Sequence, residues 1–212
     1  MDALPYSGIP AHKIKIIFQA ACARRHRNPQ IEDIIRTTGT DVDREVVSAI
    51  LEGALRLLPP DRSEEGDSLR REKEAIRAAH ANAAEHSFVQ AIKECYQGGM
   101  RDESQQKKDI RQAIDNGVEN IINLTPDIMF DTPAEFNGKQ ICWMEFKNTF
   151  GFRKNPFIHR KHIKQVKRYR DALGPGVIVY RLGYEQNLFQ IEGVGCYRET
   201  DVLSAIGKGV SA

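Results

Sequence analysis

Apolar residues recur with two different periods along this chain, and the change of period divides it. From His12 to about Ala23, Ile14, Ile16, Ile17 and Phe18 recur at helical spacing, and a basic turn, Arg24-Arg25-His26-Arg27, follows. Ile31, Ile34 and Ile35 mark a short second helix that breaks at Thr37-Thr38-Gly39-Thr40. Thr40 or Asp41 is placed to cap a third, in which Val46, Val47, Ile50, Leu51, Ala54 and Leu55 share one face. Pro59-Pro60 and the polar run through Gly66 then read as a boundary or linker. The expected organisation is a helical module over 1–60, a linker or helix over 61–80, and a larger domain over 81–212. Residues 1–10 contain Pro and Gly and are expected to be loosely ordered.

The larger domain begins with helical spacing. Residues 68–97 carry Phe88, Val89, Ile92, Cys95 and Tyr96 as an apolar face, and Gly98-Gly99 ends the run. A helix over 103–115, amphipathic through Ile110, Ala113 and Ile114, stops at Asn116-Gly117. The period then shortens to two. Ile128 and Phe130 point one way and Asp127, Met129 and Asp131 the other; Cys142, Met144 and Phe146 oppose Ile141, Trp143, Glu145 and Lys147. Pro133 and Asn137-Gly138 lie between, so an antiparallel hairpin is expected. A basic helix over 158–173 follows, with Ile163, Val166, Tyr169 or Arg170, and Leu173 inward. Gly174-Pro175-Gly176 turns the chain into a buried strand, Val177-Ile178-Val179-Tyr180, parallel to the Glu145 strand across the helical crossover. Leu188-Phe189-Gln190-Ile191 is expected as an edge strand, and the tail from about Thr200 as helical or frayed. The fold class is α/β: a mixed sheet flanked by helices, preceded by the helical module.

The hairpin carries the candidate chemistry. Centred near Phe136, it sets Asp127 directly across from Glu145, and cross-strand Cβ atoms lie about 5 Å apart. A two-residue turn at Asn137-Gly138 would instead put Asp127 opposite Asn148, so the juxtaposition requires a wider loop or a bulge. Two carboxylates so close repel unless a cation lies between them, and Mg²⁺ or Mn²⁺ suits such an oxygen site. Lys147 follows Glu145 by two, which places its amine on the same face, able to orient a water and stabilise charge on phosphate.

Charge sharpens this picture. Between Arg153 and Arg170 lie eight Lys or Arg and no Asp or Glu, so the rest of the chain carries −6 against a total of +2. Arg153, Lys154, Arg160, Lys161, Lys164, Lys167 and Arg168 form a group suited to a phosphate backbone, which positions nucleic acid without reading its sequence. His159 and His162 are expected to belong to that basic surface, since two His with no Cys nearby make a poor zinc site. Trp143 and Phe150 are either core or base-stacking residues, with core the better reading for Trp143. The third helix, with four acids against two bases over Asp41–Arg56, makes a poor DNA-reading helix, which counts against a transcription factor. Four widely spaced Cys, with no C-x-x-C pair, argue against a zinc site and against a disulfide framework. No signal, apolar run of membrane length or lipidation motif is present, so an intracellular protein of the nucleus or cytoplasm, with no membrane association, is expected.

Pro126-Asp127 and Glu145-Phe146-Lys147 resemble the signature of the PD-(D/E)XK nuclease superfamily. With Thr125, Trp143-Met144, Phe150-Gly151, Gln165, Tyr169, Gly174-Pro175-Gly176 and Tyr180, the chain resembles more narrowly the TPD-motif family within it. The resemblance implies a restriction-endonuclease-like sheet and a Mg²⁺- or Mn²⁺-dependent nuclease acting on DNA, including branched DNA. It implies metal ligation by Asp127, Glu145 and the Phe146 backbone carbonyl, and a Gln165 that faces the site. Glu85, beside Phe88 and Val89, is either a dipole-favoured helix acid or the extra metal-binding acid such enzymes carry on the helix before their sheet. Monomer and homodimer are both compatible, as is a protein partner in a larger assembly. The alternative in a different class is a catalytically silent nucleic-acid-binding scaffold that keeps the fold.

Overall fold

The computed structural model describes residues 6–155 and 157–208. Residues 1–5 of the expected loose N-terminus, and Pro156 of the loop after the hairpin, lie outside the described residues.

The N-terminal helices are α1 (Ala11–Arg24), α2 (Ile31–Thr38) and α3 (Arg44–Leu55), with a 3₁₀ turn at Arg25–Arg27 between the first two. Ile14, Ile17, Ala21, Ile34, Val46, Val47, Ile50 and Leu51 form their shared core. The cap of α3 is Asp43, whose carboxylate accepts the Glu45 N–H at 2.7 Å. Neither Thr40 nor Asp41 caps it. Thr40 instead accepts the Val42 N–H at 3.2 Å, and Asp41 pairs with Lys13 at 2.6 Å. The segment ahead of α1 is also tied down: Ile9 bridges to Glu185, with its N–H donating to the Tyr184 carbonyl at 2.9 Å.

A 32-residue helix, α4 (Glu64–Cys95), starts where Ser63 accepts the Gly66 N–H at 3.0 Å, so Gly66 lies inside the first turn rather than in a linker. Glu64, Glu65 and Asp67 crowd that first turn, where the helix dipole favours acids. The helix then runs across the expected boundary near residue 80 without a break. Its last three turns bury Phe88, Val89 and Ile92, whereas most of 64–83 is exposed.

Five strands form one sheet in the order β1-β2-β3-β4-β5. They are β1 (Met100–Asp102), β2 (Ile128–Phe136), β3 (Lys139–Lys147), β4 (Gly176–Tyr180) and β5 (Val194–Arg198). The first three pair antiparallel and the last three parallel. Between them run α5 (Glu103–Asp115) and α6 (His159–Leu173), and α7 (Glu199–Lys208) closes the described chain. On one face, α4 and α7 pack over Ile128, Phe130, Phe136, Ile141, Met144, Phe146, Val177 and Val179. On the other, α6 packs through Val166 and Tyr169 on Trp143, Ile178 and Tyr180. Among the described residues, no helix is long and apolar enough to cross a membrane.

Three expectations fail here. Leu188–Ile191 forms no strand; Leu188 fills the α6-side core, and the edge is β5, three residues further on. Ile114 is exposed, while Gln106 is the buried residue of α5. Cys142 packs with Trp143 and Ile141 with Met144 and Phe146, the reverse of strict alternation. That reversal accompanies a bulge in the hairpin.

Candidate active site

The hairpin satisfies two requirements that the sequence set against each other. Its turn is the tight two-residue one: Asn137 and Gly138 have φ of +49° and +72°, the left-handed pair of a type I′ turn. Near the turn, Phe136 pairs with Lys139 and Ala134 with Ile141. Further down, Met129 pairs with Trp143 and Ile128 with Met144, so the register has shifted by three residues. The bulge between Met129 and Ala134 absorbs those residues. One step beyond Ile128–Met144, Asp127 lies opposite Glu145. The tight turn and the facing acids therefore coexist.

Hydrogen bonds fix both carboxyl groups. Asp127 Oδ2 accepts the Phe146 N–H at 2.6 Å. Glu145 Oε1 accepts from Lys147 Nζ at 2.5 Å and from Gln165 Nε2 at 2.7 Å. Gln165 also reaches the Tyr169 hydroxyl at 3.0 Å, and that hydroxyl donates to the Thr125 carbonyl at 3.4 Å. From the α5 side, the buried Gln106 amide donates to the carbonyls of Pro126 at 2.8 Å and Arg101 at 3.0 Å. The Pro126-Asp127 step is thus clamped between α5 and α6. Gln106 is a positioning residue that does not stand out before folding, being one of many polar residues on a polar helix.

Asp127 and Glu145 are 8% and 3% exposed, and Glu145 Oε2 is buried with no hydrogen-bond partner. A buried acceptor left unpaired costs about 1–3 kcal/mol, more when charged. Burial, then repulsion from Glu145 and Glu85, pushes Asp127 up to about 8, against the pull of Lys147 and the Phe146 N–H. Burial also raises Glu145, with Lys147 opposing. Glu85 is raised by burial and by the nearby Glu103 and Glu145. Two hard oxygen donors held ready, one of them orphaned, fit a divalent cation such as Mg²⁺ or Mn²⁺. Glu85 shares the electrostatic field of the pair; among the described residues, no three His, Cys, Asp or Glu side chains form one metal-holding group.

A cleft of about 450 Å³ opens beside the pair, lined by Asn123-Leu124-Thr125 and by Lys161, Lys164, Gln165, Arg168 and Tyr169 of α6. Gln165 links this cleft to Glu145. Arg160, Lys167 and Lys154 are exposed but do not line it. Arg153 is engaged elsewhere: its Nε and Nη2 donate to Glu185 Oε1 at 2.9 and 2.7 Å, and its N–H donates to Oε2 at 2.7 Å. His162 is not part of the basic surface. Its Nδ1 lies 2.9 Å from the Tyr180 hydroxyl, and burial together with Lys147 pushes it down to about 3. Trp143 and Phe150 are both fully buried, which removes Phe150 as a base-stacking residue.

Comparison with known proteins points the same way. The family described as "Protein of unknown function TPD sequence-motif" matches residues 65–199, from the start of α4 to the end of β5. CDAN1-interacting nuclease 1 of Xenopus tropicalis is 32% identical over 81 residues, which are 37% of this chain and 23% of that protein. The protein of the same name from Gallus gallus is 31% identical over 80 residues, 37% of this chain and 26% of its own length. The chain spans about a quarter of the length of these curated relatives. No solved structure matches.

Proposed function

The chain belongs to the TPD sequence-motif family, and from that premise we propose that it is a metal-dependent nuclease hydrolysing phosphodiester bonds in DNA, branched DNA included. One observation carries the reading. Two buried carboxyl groups from adjoining strands face each other through a bulged register, and one of their oxygens has no partner. The nuclease name of the relatives supports it, as does the order of an acid ahead of β3, Glu-x-Lys on β3 and a parallel β4. On that arrangement we assign the PD-(D/E)XK type.

Asp127 and Glu145, with the backbone of Phe146, would hold Mg²⁺ or Mn²⁺. When bound, such an ion supplies Lewis acidity and charge neutralisation at phosphate. The chain's own residues do the rest. Lys147, steadied by Glu145, presents an ammonium to phosphate oxygens and stabilises charge that develops there. Gln165 holds Glu145 Oε1 in place, and Lys161, Lys164 and Arg168 hold the backbone along the cleft. Glu85 adds negative potential that favours a cation at the pair. The relatives' name also records an interaction with CDAN1, so a protein partner for this chain is part of the proposal, with a place in the nucleus or cytoplasm.

Labelled linear, flap, fork and four-way DNA incubated with Mg²⁺ or Mn²⁺ tests this directly. Cutting of at least one substrate is expected, lost in Asp127→Ala and Lys147→Ala while binding persists. If both variants cut as fast as the parent, the assignment is wrong. The silent-scaffold reading draws on the absence of a third ligating side chain at the pair among the described residues. Calorimetry separates the two, since a scaffold shows no Mn²⁺ binding that Asp127→Asn removes.

A further inference from the structure

The cations of this protein fall into two groups. Several in or against the helical module are neutralised: Lys13 pairs with Asp41 at 2.6 Å, Arg36 with Asp33 at 2.6 Å, Arg77 of α4 with Glu52 at 2.8 Å, and Arg44 with Glu32. Arg25, Arg27, Arg56, Lys154 and Lys161 form no ion pair with any carboxylate of the described residues. Of these, Arg25 and Lys154 both lie near Cys22 at the end of α1, with the exposed Arg27 two residues further along the chain, and Arg56 lies over Phe157 at the start of α6.

Phe150 and Phe152, in the loop after β3, enter the core of α1–α3. A Cβ on Gly53 of α3 would lie 3.3 Å from the Phe152 ring and 3.7 Å from the Asn155 amide, so helix and loop touch at close range. Asn155 Oδ1 in turn accepts the N–H groups of Phe157 at 3.1 Å and Ile158 at 3.2 Å, where α6 begins. The module is therefore packed against the start of the basic helix. Arg56, at the end of α3, stacks on Phe157 with its guanidinium carbon 5.6 Å from the ring centre. At the end of α1, Cys22 lies within electrostatic reach of both Arg25 and Lys154, which oppose the rise that burial imposes on its thiol.

We propose that this ridge of unpaired cations extends the phosphate track of α6 onto the helical module and holds the arm of a DNA duplex outside the cleft. It rests on the reading of the cleft as a DNA site. The module then acts through the end of α1 and the Arg56–Phe157 stack, not through α3 as a reading helix, whose Glu52 faces Arg77. Duplex rather than single strand follows from the lack of aromatic platforms. Single-strand binders stack successive bases on several exposed rings, whereas here Trp143, Phe150 and Phe152 are buried and the partly exposed Phe157 is a lone ring with Arg56 over it. The α6 helix, at 15 residues, covers about 22 Å, the rise of about six or seven base pairs, so a longer duplex is needed to reach the ridge.

The test is fluorescence anisotropy of the full chain with a duplex of roughly 20 base pairs in EDTA, which separates binding from cutting. Arg27→Glu with Arg56→Glu is expected to weaken binding at least about tenfold and to lower the salt slope by about two. The milder Arg27→Gln with Arg56→Gln gives a smaller loss of the same kind, and guards against a folding defect. Arg71→Glu with Lys73→Glu, on the exposed stretch of α4, changes net charge equally and should leave affinity within about twofold. Equal losses in the two reversed pairs, no loss in the first, or tighter binding of the single strand would each overturn the ridge. A chain that binds in this way but never cuts upholds the ridge and defeats the nuclease reading; one that cuts with an inert ridge does the opposite.

Discussion

Two buried glutamates, 40 positions apart, each take hydrogen bonds from a basic residue, and only one of them is complete. Glu185 receives three hydrogen bonds from Arg153, which between them engage both of its oxygens, and it joins the N-terminal segment to the loop after β3 through the bridge to Ile9. Glu145 receives Lys147 and Gln165 on Oε1, nothing on Oε2, and faces a second buried acid. The first arrangement is what stability requires of a buried charge, with both oxygens occupied. The second leaves a deficit that only something from outside can fill. Burial alone therefore does not mark a site; an unpaired oxygen on a buried carboxyl that faces a second buried acid does.

The sharpest way to break the comparison is to substitute each glutamate and read both activity and stability. Glu145→Gln should lower the cleavage rate by about 10³-fold or more, a loss of about 4 kcal/mol in transition-state stabilisation, while the fold melts near the parent temperature. Single-turnover cleavage and thermal melts on one preparation check this. Glu185→Ala should behave in the opposite sense, costing about 2–3 kcal/mol of stability, because Arg153 loses its partner and its backbone N–H loses its acceptor. Arg153 is partly exposed and can recover water, which keeps that cost moderate. Denaturant unfolding gives the number, and cleavage per folded molecule should stay within about threefold of the parent. If Glu185→Ala abolished cutting in a stable protein, the division between the two glutamates would collapse.

A smaller effect sharpens the incomplete side. Asp127 has an ordinary carboxyl value when unfolded and about 8 when folded without metal, so the folded state retains a proton that the unfolded state releases. The contribution of Asp127 to the stability of the metal-free protein should therefore be greatest at low pH and be lost as pH rises from about 4 to about 8. Asp127→Asn keeps an acceptor for the Phe146 N–H and removes the charge, so it should be more stable than the metal-free parent at pH 8 by about 2 kcal/mol, and indistinguishable near pH 4. The full value of the shift is not expected, because a neutral acceptor binds that N–H less strongly. Melts in EDTA across this range test the sign, and Mn²⁺ should restore the parent but not the variant.

The hairpin, its turn, the basic helix and β4 were all legible, because each advertises itself locally through period, turn residues or charge. The bulge was not. Its cause lies in what flanks the hairpin: β1 pairs Met100 with Phe130 and accepts the Asp131 N–H at the Gly99 carbonyl, while the Cys142 N–H is taken by Pro175. Met100–Asp102 is too short and too polar to read as a strand from its own sequence. β5, Val-Gly-Cys-Tyr-Arg, is outbid in apolarity by Leu188–Ile191, which packs as a loop under Trp143. Both edge strands were thus hidden for one reason: an edge needs only backbone pairing, and backbone pairing leaves little trace in side chains. At the site, Asp127, Glu145, Lys147 and Gln165 were legible through their motif, whereas Gln106 and the loss of Arg153 to Glu185 depend on partners 20 and 32 residues away.

Gln165 offers the finest test of what separates the two glutamates, since it alone joins Glu145 to the cleft. Its amide donates both to Glu145 Oε1 and to the Tyr169 hydroxyl. Replacing it by Ala leaves Lys147 as the single donor to that oxygen, and the carboxylate then turns more freely about its terminal torsion. A positioning residue of this kind should cost about tenfold in cleavage rate, roughly 1.4 kcal/mol, with a change in apparent Mn²⁺ affinity as its signature. Gln165→Glu is the harsher variant, placing a third acid beside the pair. It should tighten Mn²⁺ binding while slowing cutting, a split that a surface residue would not produce. Affinity and rate that both stay at parent values in the two variants would return Gln165 to the solvated face of its helix and leave Glu145 held by Lys147 alone.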